Sequence, residues 1–140
     1  MNIYISSPYE RAIETIKAAA GTNEITLFDD LREREIGQFE GMSFKDAKLK
    51  VYTDTNHSFP EGESSASAQL RVVRVIERIL NEHEGKRIVI GTHGDIMTLI
   101  INYYDKQYDY EFWQSTSMPD IYSLEFIDMK LEDIRRLWQR

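Results

Sequence analysis

Apolar and polar positions along the chain fall into blocks of two periods, one suited to strands and one to helices. Ile3-Tyr4-Ile5 is a short apolar run of the kind a buried strand presents, and Ser7-Pro8 after it predicts a helix start with Ser7 at the N-cap and Pro8 at N1. That helix is expected to run through Arg11, Ile13, Ile16 and Ala20 and to stop at Gly21. Ile25-Thr26-Leu27-Phe28 predicts a second strand. Residues 29–41 carry two glycines and no sustained period, 43 to 52 reads as a short helix, and 53–62, rich in Thr, Asp, Asn, Ser, Pro and Gly, reads as a loop.

Between Ser64 and Glu84 the apolar residues Ala68, Val72, Val75, Ile76, Ile79 and Leu80 recur at helical spacing, with Gly85 placed to close the helix. Arg87-Ile88-Val89-Ile90-Gly91 is a β-branched run bounded by turn residues and predicts a fully buried strand. Thr92-His93-Gly94-Asp95 leads into a helix expected over 96 to 104, and 121–127 alternates as a strand does. The last segment is open: Leu131, Ile134 and Leu137 suit a helix, while the spacing from Asp128-Met129-Lys130 suits a hairpin return. With no repeat and no second composition, residues 1–140 are expected to form one domain. Alternating strands and helices predict an α/β fold around a largely parallel sheet.

Composition narrows the classes. At 140 residues, 41% hydrophobic and 29% charged, the chain can bury a core without a staple, and it contains no cysteine. Cysteine-based zinc or redox chemistry is thereby excluded, and a reducing cytosol is the expected compartment. No apolar run approaches the roughly 20 residues that span a bilayer, so no membrane partner is expected. A net charge of −7 disfavours a nucleic-acid partner, which needs a basic surface, but a local cluster can still take a small anion. No His/Asp/Glu cluster has metal-ligand spacing on one element, so neither a metal nor another cofactor is expected.

Two segments share one architecture, 3–11 and 88–95: a buried strand, a tight turn, and a helix N-terminus with an ionisable side chain beside it. In open α/β sheets ligands bind beyond the carboxyl ends of the strands, where helix N-termini offer unpaired N–H groups and a positive dipole end. Two such ends side by side suit phosphate. Arg11 could grip its oxygens in a fork, and His93 could donate to the same group. Taken alone, a histidine after a buried strand is more often structural, and an arginine on the first turn of a helix is more often solvated.

Ser6-Ser7-Pro8-Tyr9-Glu10-Arg11-Ala12-Ile13-Glu14-Thr15 resembles the SSPxxRAxxT motif of the histidine phosphatases, the family of phosphoglycerate mutase and its relatives. Leu31-Arg32-Glu33 followed by Gly37-Gln38-Phe39-Glu40-Gly41 resembles the LxE…GxWEG segment, with Phe39 in place of Trp. Pro60-Glu61-Gly62-Glu63-Ser64 resembles the PxGES loop and Thr92-His93-Gly94 the vsHG motif, all in family order. The resemblance implies a three-layer sandwich and phosphoryl transfer from a phosphomonoester through a phosphohistidine, without metal. It also implies roles: Arg11 and His93 as phosphate ligands, with His93 counted in the catalytic set, and Glu33 as the acid that protonates the leaving oxygen. Glu35 is the substitute acid if the alignment slips, and Glu63 and Ser64 are expected to cap the following helix.

The RHG motif that carries the family's nucleophile does not occur: the histidines are His57, His83 and His93, and none sits in that context. The expectation is a chain whose N-terminal strand and helix are missing, the lost strand being one that lies inside the family's sheet beside the strand ending at His93. Three readings compete: a start at an internal methionine, a pseudoenzyme that binds phosphate or a small phosphomonoester without turnover, and His93 acting as the nucleophile. A fourth, from another class, is an interaction module in which the opened sheet takes a partner strand or a second copy as a homodimer. The substrate is beyond the sequence. Tyr108, Tyr110, Phe112 and Trp113 are expected to be core rather than substrate wall.

Overall fold

The computed structural model describes residues 2–92, 94–116, 121–127 and 129–136. Among them five strands form one sheet: β1 (Asn2–Ser6), β2 (Ile25–Leu27), β3 (Arg87–Gly91), β4 (Ile121–Ile127) and β5 (Lys130–Arg136), in the order β2-β1-β3-β4-β5. β1 pairs in parallel with β2 and β3, and β4 runs antiparallel between β3 and β5. Four strands therefore share a direction, which is the mostly parallel sheet expected. The helices are α1 (Glu10–Ala20), α2 (Phe44–Thr53), α3 (Ser65–Glu82), α4 (Gly94–Tyr104) and α5 (Tyr110–Ser115).

The period-two pattern of the inner strands divides the core into two layers. Ile3, Ile5, Ile88 and Ile90 face one side and pack with Val72, Ile76 and Ile79 of α3 and Ile96, Ile100 and Ile101 of α4. Tyr4 and Val89 face the other and meet Ile16 of α1 and Ile25 of β2. Helices thus cover both faces, as a three-layer sandwich requires. Gly91 sets how closely α1 approaches, since a Cβ there would stand 2.8 Å from the Ile16 Cβ and 3.0 Å from the Ala12 carbonyl oxygen.

Helix ends follow the sequence signals at α2 and α3, where Ser43 and Ser64 accept from the N–H groups of Asp46 and Ser67, each at 3.1 Å. They depart from them at α1. The helix begins at Glu10, with Tyr9 at the N-cap and no side-chain cap, not at Ser7-Pro8. Ser7 is fully buried and its N–H donates to the Gly91 carbonyl at 3.2 Å, so the backbone there still continues the sheet ladder and has not yet turned into the helix. The open C-terminal segment resolves as the hairpin. Met129 takes a left-handed conformation (φ 66°) in the turn, and Leu131 and Ile134 return to the core.

The flank of β3 that the family resemblance would leave open is paired. Ile88 to Gly91 of β3 register against Leu124 to Ile121 of β4. The expected exposed edge at this place is therefore corrected: buried backbone donors and acceptors beside β3 are satisfied by an antiparallel strand of the same chain.

Candidate active site

The register Ser6↔Gly91 brings the carboxyl ends of β1 and β3 side by side, so α1 and α4 start at the same edge of the sheet. The first turn of α1 carries Arg11, and α4 opens at Gly94, immediately after His93. His93 itself and the Arg11 side chain lie outside the described residues. Their neighbours are well placed. The Thr92 hydroxyl donates to the Leu31 carbonyl at 3.1 Å, tying the turn before His93 to the segment that carries Glu33.

Glu33 is partly buried, whereas Glu35 is exposed. Its carboxyl accepts the Arg34 N–H at 3.0 Å. Burial first, and then the charge of Asp95, raise its pKa from 4.5 to about 7, while Lys48, the Arg34 N–H and the Arg34 guanidinium act in the opposite direction. Of the sequence-predicted residues, Glu33 is thus the one whose described environment suits proton donation near neutral pH.

The segment after Glu33 is held by the Pro60–Glu63 loop, with Gln38 N donating to Pro60 O and Glu63 N to Glu35 O, both at 2.8 Å. Two motif glycines make this contact possible. A Cβ on Gly37 would stand 2.5 Å from the Pro60 carbonyl oxygen, and one on Gly62 would overlap the Ile36 carbonyl. Gly62→Ala is accordingly expected to lower stability by about 1–3 kcal/mol, the usual cost of forcing extra volume into a packed place. Urea melts of the two proteins check this, and equal midpoints would contradict the close approach. Ser64 caps α3 as expected, while Glu63 instead binds Arg71 through two contacts at 2.8 and 3.1 Å. Arg71 also donates to the Asp30 and Arg32 carbonyls, bracing the approach to Glu33.

Sequence reasoning missed a buried ionic network next to this acid. Arg34 donates through Nε and Nη2 to the two carboxylate oxygens of Asp95, each at 2.9 Å, and through Nη1 to Ser65 Oγ at 2.8 Å. Lys48 Nζ forms a second ion pair with Asp95, and Tyr52 donates its hydroxyl to the same carboxylate at 2.5 Å. The Arg34, Lys48 and Asp95 side chains are 0%, 5% and 2% exposed. Burial opposes the charge on Asp95, but the Arg34 bonds and the two cations outweigh it and hold the carboxyl at about 2. Burial and then Asp95 push the Tyr52 phenol well above its ordinary range, so it serves as a donor.

The aromatic segment divides rather than joining the core as a whole. Tyr108 and Phe112 pack on the main core. Trp113 instead meets Phe44, Tyr52 and Tyr110 at centroid distances of 6.1, 6.4 and 5.6 Å, with Lys48 Nζ 5.5 Å above its ring. α5 has no buried residue, and Phe44 is half exposed.

Two helices, α1 and α4, thus start at one edge of an α/β sheet, and a carboxyl of raised pKa lies on the segment tied to the turn before the second. The sequence profile of the histidine phosphatase superfamily (branch 1) matches residues 1–135, and the chain belongs to that family. It is 32% identical over 105 residues to phosphoglycerate mutase-like protein 4 of Arabidopsis thaliana, a match covering 66% of this chain and 45% of that protein. A metal-independent phosphoserine phosphatase from the same plant is 28% identical over 107 residues, covering 68% and 45%. The chain thus spans about half the length of these curated relatives. Among solved structures, a mutant phosphoserine phosphatase from Entamoeba histolytica in complex with phosphoserine superimposes with a TM-score of 0.72 at 22% identity, over 94% of this chain and 72% of that one. The fold is shared.

Proposed function

We propose that the chain carries the acid and phosphate-holding half of a phosphomonoester site, in which Arg11 and His93 hold phosphoryl oxygens and Glu33 protonates the leaving oxygen. The observation that carries this reading is Glu33: an acid near pKa 7 keeps a large protonated fraction at neutral pH and is still strong enough to give the proton up. The phosphatases among the relatives support a phosphomonoester as the ligand. The first turn of α1 and the start of α4 add the positive ends of two helix dipoles.

The family's nucleophile stands in an RHG turn, and none of these 140 residues forms one. The 140-residue chain alone is therefore expected to bind phosphate and not to turn it over. Isothermal titration with inorganic phosphate should detect binding that weakens by about 10–100-fold in Arg11→Ala and in His93→Ala, the worth of a charged hydrogen bond or two. An assay with phosphoserine and p-nitrophenyl phosphate should show no release of phosphate above buffer. Turnover that survives His93→Ala, or phosphate binding indifferent to both changes, would overturn the reading. The cysteine-free composition supports the cytosol as the place of action.

A further inference from the structure

The segment from Leu31 to Arg34 is joined twice to the segment that runs from Thr92 to Asp95. Thr92 reaches Leu31 through its hydroxyl, and Asp95 takes Arg34 through two parallel bonds. Glu33 lies between Leu31 and Arg34, and His93 between Thr92 and Asp95. The second rung is buried: Ser65 of α3 accepts from Arg34 Nη1 and in turn donates to the Val51 carbonyl of α2 at 2.7 Å.

We propose that Arg34 and Asp95 are positioning residues for the acid: their buried two-pronged pair clamps the Glu33 segment to the first turn of α4, so that acid and phosphate-holding turn are set as one unit. A wholly structural account is weak on energetic grounds. Well-packed apolar side chains of similar volume commonly stabilise a fold as well as a buried ion pair does. What such side chains could not do is place a fixed pattern of charge against Glu33. Among the described residues, the charged groups that face it are Asp95 from α4, Lys48 from α2 and Arg34 from its own segment. The Asp95 charge favours the acid form and the two cations oppose it, so the same pair that fixes the backbone also tunes the proton. The inference rests on the reading of Glu33 as the acid, but its test needs no phosphate, so the two can fail separately.

The test is the titration of the Glu33 carboxyl carbon by NMR in three proteins. In Asp95→Asn, which keeps an acceptor oxygen but no charge, the midpoint is expected to fall by about one unit or more from the wild-type value, as removal of a like charge beside two cations dictates. In Ser65→Ala, which removes a bond from Arg34 but no charge, the melting temperature should fall with the midpoint unmoved. A Glu33 midpoint in Asp95→Asn equal to that of wild type would overturn the proposal. Should Asp95→Asn fail to fold, Lys48→Met takes its place: its midpoint is expected to rise, and an unmoved one would count equally against the coupling. Arg34→Lys isolates the clamp, since it keeps the charge and loses the fork. Exchange of the residue-34 amide should quicken at least about tenfold relative to α3 amides, as local opening becomes easier. Wild-type exchange there would refute the clamp.

Discussion

Asp95→Ala is expected to destabilise the protein by about 3–5 kcal/mol, the cost of breaking a buried ion pair from one side. The loss is large because the change strands more than one partner. Arg34 and Lys48, 0% and 5% exposed, would keep their charges with their directly bonded anion gone, and the Tyr52 hydroxyl would lose its acceptor at 2.5 Å. Domains of this size hold only about 5–15 kcal/mol in total, so a single methyl-for-carboxylate exchange would consume much of it. Replacing the whole network, as Arg34→Met, Lys48→Met and Asp95→Leu together, should recover most of the loss, since no buried cation is then left without its bonded anion. Urea melts at pH 7 separate these cases, and a triple variant no more stable than Asp95→Ala would contradict the account. The pH dependence has a definite sign. Asp95 is depressed from 3.8 to about 2, so the folded state binds fewer protons than the unfolded one in that window. The stability it contributes is full above the unfolded value and is lost as pH falls through the folded one. The gap between wild type and Asp95→Ala should therefore narrow between pH 4 and pH 2.

Much of the fold was legible because the signals that marked it are local. The run Ile88-Val89-Ile90, the stripe from Ala68 to Leu80, and the serine at the start of α3 each act within one element, and each formed where its pattern placed it. The start of α1 was misplaced because the extended backbone runs on past Ser6: the Ser7 N–H bonds the Gly91 carbonyl, and the helix begins only at Glu10. The last segment carried both periods, and pairing with β4 decided between them. α5 has six residues, none buried, and no period long enough to read.

The site shows the same division between local and distant causes. Arg11, Glu33 and His93 were nominated because the family motifs come in order along the chain. Arg34 was hidden inside a run of charges from Asp29 to Glu35 that reads as a solvated face, and its partner lies 61 residues away. Two signals were present. Lys48 sits between Ala47 and Val51 on the buried face of α2. Asp95 opens a helix whose next six residues are all buried. A cation and an anion each on an apolar face are best explained by each other, and a third charge, Arg34, completes the set. The motif glycines Gly37 and Gly62 likewise make sense only in three dimensions, as the two backbones that touch.

Glu33→Gln is expected to make the protein more stable at pH 8 than the wild type, and no different at pH 4. The Glu33 carboxyl is raised from 4.5 to about 7, so between those values the folded state binds more protons than the unfolded one. Stability is then full below pH 4.5 and falls as pH rises through the folded value. At about 1.4 kcal/mol per unit, the accumulated cost above pH 7 is on the order of 3 kcal/mol. Glutamine has the shape of the protonated acid and can still accept the Arg34 N–H, so it removes the cost and keeps the contact. Melts of both proteins at pH 4, 6 and 8 check the prediction, and a variant less stable than wild type at pH 8 would mean that the ionised carboxylate has a favourable partner there. The gain in stability is the reverse of what a structural charge would show. If Glu33 is the acid proposed above, then in a site of this family that carries the nucleophile the same substitution should slow departure of poor leaving groups more than good ones, because only a basic leaving oxygen depends on the acid.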